Sequence, residues 1–368
     1  AVLLEQVRDG AEAVIVADRV LASLSRPARV GDQQVVPRAS VGLALAGPGT
    51  TADELVRDAD VAMYHAKRKG AGGYEQFEPS MRELVVLDRA LEADLRVAVD
   101  EGQFELVYQP ILRLGSETPD DAVPAAACDS ANLTGAEALL RWRHPTRGPV
   151  APGEFIAVAE RTGVIVPIGR WVVRAACREA AGWPPGPHGP LTVAVNVSAR
   201  QLADPGLLED VAGALAVSGL APHRLLLEIT ETALADGSDV TLGRLRALKA
   251  LGVQLAIDDF GTGYSSLAYL QRFPVDVLKI DKAFVDGVHG TATSGPAIVR
   301  AIVALGHALG LRTVGEGVET AAQCAALRAL GCGYGQGYLF ARPLPPGELA
   351  ARFGAAAARR EAGLAGVA

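Results

Sequence analysis

From Phe104 onward the chain alternates short apolar runs with segments of helical spacing, and this alternation restricts its fold more than any other feature. Eight runs read as strands: 105–111, 133–140, 192–197, 225–229, 253–257, 277–280, 312–314 and 334–339. Helical patterns lie between most of them. Leu242, Leu245, Leu248 and Leu251 show the spacing, and Gly252 stops it before the next strand. Eight strands in this length predict an α/β protein with a (β/α)8, TIM-like barrel. The rival is an open doubly wound sheet. It is disfavoured because polar residues stand at the ends of so many strands, as a closed ring requires.

Residues 1–79 read as a partial α+β fragment ahead of the barrel. Residues 11–24 have helical spacing, Thr51 and Glu54 form a capping box, and the helix that follows carries Leu55, Ala59, Ala62, Met63 and Ala66 on one face up to Gly70. The opening Ala1-Val2-Leu3-Leu4 reads like the middle of a strand, so the natural protein is expected to continue upstream. Residues 80–100 predict a connecting amphipathic helix with Leu84, Leu87, Leu91, Leu95 and Val99 on one stripe. The barrel is expected over 101–352 and an Ala-rich tail over 353–368. The stretches 115–132 and 183–190 read as surface loops.

The net charge is −7, which makes the chain a poor electrostatic partner for duplex nucleic acid. Four cysteines without C-x-x-C pairing read as reduced thiols, and six histidines lack zinc-ligand spacing. No apolar run approaches a membrane span. A cytoplasmic location is expected, with any membrane tether lying upstream.

The chemistry sits at the strand ends. Glu137 closes the second run, Asn196 the third and Glu228 the fourth with Glu231 just after it, and Asp258 and Asp259 close the fifth. Lys279 and Asp281 mark the sixth, Glu316 and Glu319 the seventh, and Gln336 the eighth. In a barrel these ends converge on one face. Converging carboxylates repel one another, and hard divalent cations with their preference for oxygen remove that repulsion. Glu137, Asn196, Glu228 and Asp258 supply one all-oxygen set, and Asp258 can bridge to a second ion at Asp259 and Glu316. Two ions roughly 3.5–4 Å apart clamp the attacking and leaving oxygens of a phosphoryl group. Lys279 suits orienting a water or neutralising charge, and Arg141 suits phosphate binding. Taken singly, each residue has a blander reading. Asn196 fits a turn, Asp258-Asp259 a helix cap, Glu231 and Glu319 the caps of following helices, and Asp281 an ion pair with Lys282. Together those readings must hold at several strand ends at once.

Eight motifs in order carry a resemblance to a known family: YQP (108–110), EALLRW (137–142), NVSARQL (196–202), EITET (228–232), DDFGTGYSSL (258–267), LKIDK (278–282), EGVET (316–320) and GYGQGYLFARPLP (333–345). The chain resembles the EAL-domain cyclic-di-GMP phosphodiesterases of bacteria. The resemblance implies a barrel, commonly dimeric, that hydrolyses cyclic di-GMP to linear pGpG with Mg²⁺ or Mn²⁺. It implies first-metal ligands at Glu137, Asn196, Glu228 and Asp258, and second-metal residues at Asp259 and Glu316, with Glu316 also a general-base candidate. Lys279 matches the lysine beside the nucleophilic water. Gln336 and Glu319 match supporting residues, and Glu231 matches the glutamate that holds the DDFGTG loop. Gln109, Leu139, Arg141 and Gln201 fall where the family contacts the dinucleotide, and Gln336 is grouped with them as a substrate-side residue. Residues 1–79 resemble the second half of a GGDEF diguanylate cyclase domain through AVLLEQV (1–7), ASVGLAL (39–45) and ADVAMYHAKRKG (59–70), without the signature that names it. Two other functions compete with hydrolysis: a silent cyclic-di-GMP receptor, and a scaffold that uses the barrel only for contacts.

Overall fold

The computed structural model describes residues 1–368 other than 6, 8–9, 27, 31–32, 36, 38, 69–71, 115–131, 187, 235–236, 263–269, 289–293, 350 and 352–368; the side chains of 28, 30, 33–35, 68, 83–89 and 294 are likewise left aside. The expected loop at 115–132 therefore lies outside the described residues except for Asn132, and the expected tail lies wholly outside them. Residues 263–267 of the DDFGTGYSSL motif lie outside them too. The chain divides into two compact units, Ala1–Asp94 and Leu95–Ala368. No described helix is long and apolar enough to cross a membrane. Cys177, Cys324 and Cys332 are free thiols.

In the first unit, helix Ala52–Arg68 lies over strand Val41–Leu43, which pairs in parallel with Tyr74–Gln76. The expected capping box opens this helix: Thr51 N donates to Glu54 Oε2 at 3.0 Å and Glu54 N donates to Thr51 Oγ1 at 3.3 Å. Gly42 permits the close approach, since a Cβ there would lie 1.9 Å from Ala59 O. Residues 1–4 depart from expectation. They form no strand, and Val2 and Leu3 are 75% and 72% exposed. An apolar run with no paired neighbour has no ladder to satisfy its backbone. In the predicted connecting helix, observed as Ser80–Ala98, Leu91 and Leu95 are buried as the stripe requires.

The second unit is a closed barrel of eight strands. We number them β1 (Phe104–Arg113), β2 (Leu133–His144), β3 (Thr192–Asn196), β4 (Leu225–Thr230), β5 (Gln254–Phe260), β6 (Val277–Ile280), β7 (Arg312–Gly315) and β8 (Tyr334–Gln336). Each pairs with the next, and β8 closes on β1. From β2 to β8 the pairs are parallel, whereas β1 runs antiparallel to both neighbours. The helices that the site uses are α1 (Ala199–Ala203) after β3, α2 (Asp239–Ala250) after β4, α3 (Lys282–Asp286) after β6 and α4 (Ala321–Ala329) after β7. In α2, Leu242, Leu245 and Leu248 are buried, as their spacing predicts.

One interior layer of the barrel is apolar: Ile111, Ala194, Leu226, Ala256, Val277 and Val314, with Tyr334 packed against it. Side chains alternate across a strand with period two, so the residue two positions further on points the same way. On the parallel strands that residue is Asn196, Glu228, Asp258, Lys279, Glu316 or Gln336. On antiparallel β1 the step runs backwards and reaches Gln109. The polar ring is thus one layer above the apolar plug, at the strands' C-terminal mouth. Strand β8 ends at Gln336, earlier than the sequence suggests. The chain turns there, with Phe340 N donating to Gly337 O at 3.1 Å, and a Cβ at Gly337 would lie 2.2 Å from Val318 backbone atoms.

Candidate active site

Lys279 stands at the centre of the ring and is 1% exposed. Its Nζ lies 2.6 Å from Glu316 Oε1, 2.7 Å from Glu228 Oε2, 3.2 Å from Asp258 Oδ1 and 3.7 Å from Glu137 Oε2. Four strands thus deliver four carboxylates to one ammonium. Burial alone would push Lys279 down, but Asp258, Glu137, Glu228 and Glu316 outweigh it and hold the lysine well above its ordinary value. One cation cannot neutralise four anions. Burial, opposed by Lys279 and reinforced by the neighbouring acids, pushes Glu228 well up, and it pushes Glu316 up to about 8.

Glu137 is held from both sides. Asn196 Nδ2 donates to its Oε1 at 2.6 Å, and Gln336 Nε2 donates to its Oε2 at 2.5 Å. Gln336 Nε2 also donates to Gln109 Oε1 at 3.1 Å, and Gln109 Nε2 donates to Ala341 O at 3.3 Å. The register explains the meeting, because Glu137 pairs with Gln109 on one side and with Ala194 on the other.

Asp258, Asp259 and Glu316 bring carboxylate oxygens within 4.8 Å of one another. Asp259 takes the left-handed backbone, φ 52°, which turns successive carboxylates toward one place. Burial pushes its carboxyl up to about 6, aided by Asp258 and by a hydrogen bond with Asp281. The sequence leaves Asp281 open between a member of the strand-end polar set and an ion pair with Lys282. The structure sets it beside Asp259 and makes it the N-cap of α3, accepting from Ala283 N at 2.7 Å.

Glu231 is buried at the start of a single 3-10 turn, Glu231–Leu234, and its Oε2 accepts from Gly261 N at 2.8 Å. It therefore grips the loop that follows the Asp pair. Leu139 and Arg141 lie two and four residues past Glu137 on β2, on the same side of the strand. Two predicted residues stand apart from the cluster. Gln201 is 4% exposed and spent in a capping box with Ser198 at the start of α1. Glu319 is half exposed, and its Oε1 lies 2.8 Å from Lys282 Nζ.

The donor set suits a hard divalent cation. It is all oxygen, and it carries more negative charge than Lys279 offsets. In addition, the buried Glu228 Oε1 accepts no hydrogen bond. A buried carboxylate oxygen without a partner is costly unless a cation meets it.

The family model for the EAL domain matches residues 92–343, and that for the diguanylate cyclase GGDEF domain matches residues 1–72. The bifunctional diguanylate cyclase/cyclic di-GMP phosphodiesterase MucR of Pseudomonas aeruginosa is 44% identical over 351 residues, covering 95% of this chain and 49% of that protein. The cyclic di-GMP phosphodiesterase PdeR of Escherichia coli is 38% identical over 330 residues, covering 89% and 47%. The chain thus spans about half the length of these curated relatives. Among solved structures, the PaMucR phosphodiesterase in complex with c-di-GMP is 44% identical with a TM-score of 0.63, covering 71% of this chain and 99% of that one. The EAL domain of Mycobacterium smegmatis DcpA is 34% identical with a TM-score of 0.54, covering 69% and 97%. The EAL match takes in every strand of the barrel and the whole carboxylate ring, and the chain belongs to the EAL domain family.

Proposed function

We propose that the barrel hydrolyses one phosphodiester of cyclic di-GMP and releases linear pGpG. The observation that carries this reading is the ring of Glu137, Glu228, Asp258 and Glu316 around Lys279, with an unpartnered buried oxygen on Glu228. Relatives named as cyclic di-GMP phosphodiesterases and a structural neighbour in complex with c-di-GMP supply the substrate class.

Two Mg²⁺ or Mn²⁺ ions fit the donors. Glu137, Glu228, Asp258 and the amide oxygen of Asn196 would hold one, and Asp259 and Glu316 the other with Asp258 between. When bound, such ions supply Lewis acidity and positive charge for a phosphodiester and its attacking water. The protein's own groups do the rest. Lys279 keeps a fixed positive charge among the acids. Glu316, which reaches the ring beside Lys279, is the general-base candidate for the attacking water. The water oxygen bonds to phosphorus while the bond from phosphorus to the 3′ oxygen breaks. The water's proton passes to Glu316, and the 3′ oxygen leaves as a hydroxyl with a proton from solvent. Leu139 and Arg141 contact the dinucleotide. Asn196 and Gln336 fix Glu137, Gln109 steadies Gln336, and Glu231 fixes the loop at Gly261. Two copies of the chain associate through the barrel.

The test is to incubate the purified protein with cyclic di-GMP and Mg²⁺ and look for pGpG. Binding without turnover would favour a receptor, and neither binding nor turnover would favour a scaffold. Light scattering would check the dimer.

A further inference from the structure

Lys282 opens α3, three residues past Lys279, and takes no part in the carboxylate ring. Its Nζ lies 2.8 Å from Glu319 Oε1 and 3.1 Å from Asp286 Oδ1. Gln323 Nε2 donates to the same Asp286 oxygen at 3.2 Å. Gln323 Oε1 in turn accepts from Glu319 N and Thr320 N, both at 2.8 Å. These contacts close a loop of hydrogen bonds through Lys282, Asp286, Gln323 and Glu319. It ties the helix after β6, the strand of Lys279, to the start of α4 after β7, the strand that leads into Glu316.

A second observation concerns the residue next to Glu316. Gly317 has φ 63°, and a Cβ there would lie 2.5 Å from Lys282 Cγ. The aliphatic stem of Lys282 therefore lies against the backbone immediately after Glu316, while its ammonium grips the side chain three residues further on. On its near side Glu316 N donates to Ile280 O at 3.1 Å. The segment 316–319 is held by β6 at one end and by Lys282 along the rest.

We propose that Lys282 is a positioning residue: it clamps segment 316–319 and so sets where the Glu316 carboxylate meets Lys279, Asp258 and a bound cation. The proposal rests on the reading of the ring as a cation-dependent hydrolytic site. The ammonium and its partner are about half exposed, at 47% and 48% of their side chains. Exposed pairs of this kind add little to global stability. Their effect here falls on placement, where an error of about 1 Å can cost on the order of 10²-fold in rate. Glu319 then acts through Lys282 rather than on substrate.

The experiment compares Lys282→Ala, Lys282→Arg and Glu319→Ala in the full chain. Mn²⁺ affinity is read by electron paramagnetic resonance of the free ion, turnover is measured at saturating Mn²⁺, and Tm is measured alongside. Lys282→Ala is expected to weaken Mn²⁺ binding and lower kcat, each about tenfold, the range seen when groups behind metal ligands are lost. KM and Tm should stay near wild type. Lys282→Arg should recover most of the loss, because it keeps the stem and the charge. Glu319→Ala should resemble Lys282→Ala, and the double variant should be no worse than either single one. Wild-type Mn²⁺ affinity and kcat in Lys282→Ala would overturn the proposal, as would an Arg variant no better than Ala. If Lys282→Ala does not fold, Glu319→Ala with the same readouts decides. If the wild-type chain turns over no dinucleotide, the functional reading fails, and the Mn²⁺ titration still decides the clamp.

Discussion

Lys279 Nζ and Glu316 Oε1 face each other across β6 and β7 at 2.6 Å, with the lysine side chain 1% exposed. The pair joins the residue best suited to fixed positive charge to the one best suited to accept a proton. Lys279→Met removes the only ammonium within reach of four described acids. A buried pair broken on one side costs about 3–5 kcal/mol. Carboxyl protonation relieves part of that at low pH, so the loss of Tm should be larger at pH 8 than at pH 6. Turnover should fall by at least ~10²-fold, as when a preorganised charge is removed from a reaction site. Equal melting temperatures for variant and wild type at pH 8 would contradict this account.

Glu137→Ala strips the acceptor from both Asn196 Nδ2 and Gln336 Nε2 and takes one carboxylate from the ring. Turnover of cyclic di-GMP should be abolished, with a drop of ~10²-fold or more, and Mn²⁺ affinity should fall with it. Retention of the wild-type rate would remove Glu137 from the ligand set.

Glu231→Ala leaves Gly261 N without its acceptor at 2.8 Å. Gly261 is exposed, so water can replace the lost bond and Tm should change little. The segment after the Asp pair loses its anchor, however, and kcat should drop by about tenfold. Unchanged kinetics would show that the grip on Gly261 has no bearing on the chemistry.

Cation binding should strengthen with pH. Burial raises Glu316 to about 8 and Asp259 to about 6. A carboxyl raised in the folded state contributes stability that is full below its unfolded value, near 4.5 for Glu316, and is lost as pH rises toward its folded value. The cation-free protein should therefore lose stability between about pH 5 and pH 8 from these groups. A bound cation displaces the retained protons, so its affinity should climb by up to about tenfold per pH unit for each proton released, and level off above pH 8. Mn²⁺ calorimetry from pH 6 to 8.5, with proton release measured in buffers of different ionisation enthalpy, checks this. A flat profile would count against carboxyl-held cations.

Much of the site was legible before any coordinates. From β3 to β8 each strand places a polar residue two positions past an apolar one, as in Leu226 and Glu228 or Ala256 and Asp258, and period-two alternation turns that spacing into one inward layer. Gln109 was harder to read mechanistically. It belongs to the same ring only because β1 runs antiparallel, so that it precedes Ile111 instead of following it. Gln201 stands three residues after Ser198, a capping-box spacing that the sequence carries, whereas Lys282, the partner of Glu319, has no such local signature. A motif names a residue type at a spacing and does not say which neighbour spends its hydrogen bonds.

Local rules were enough for the barrel class, the strand-end acids and the oxygen-rich character of the site, because strand alternation and helix spacing are properties of adjacent residues. Closure of β8 on β1, the crowding of four carboxylates at Lys279 and the grip of Lys282 on the segment after Glu316 are of another kind. They depend on contacts between residues far apart in the chain, and on the low-dielectric interior that those contacts create, so they arise only once the ring of strands has shut.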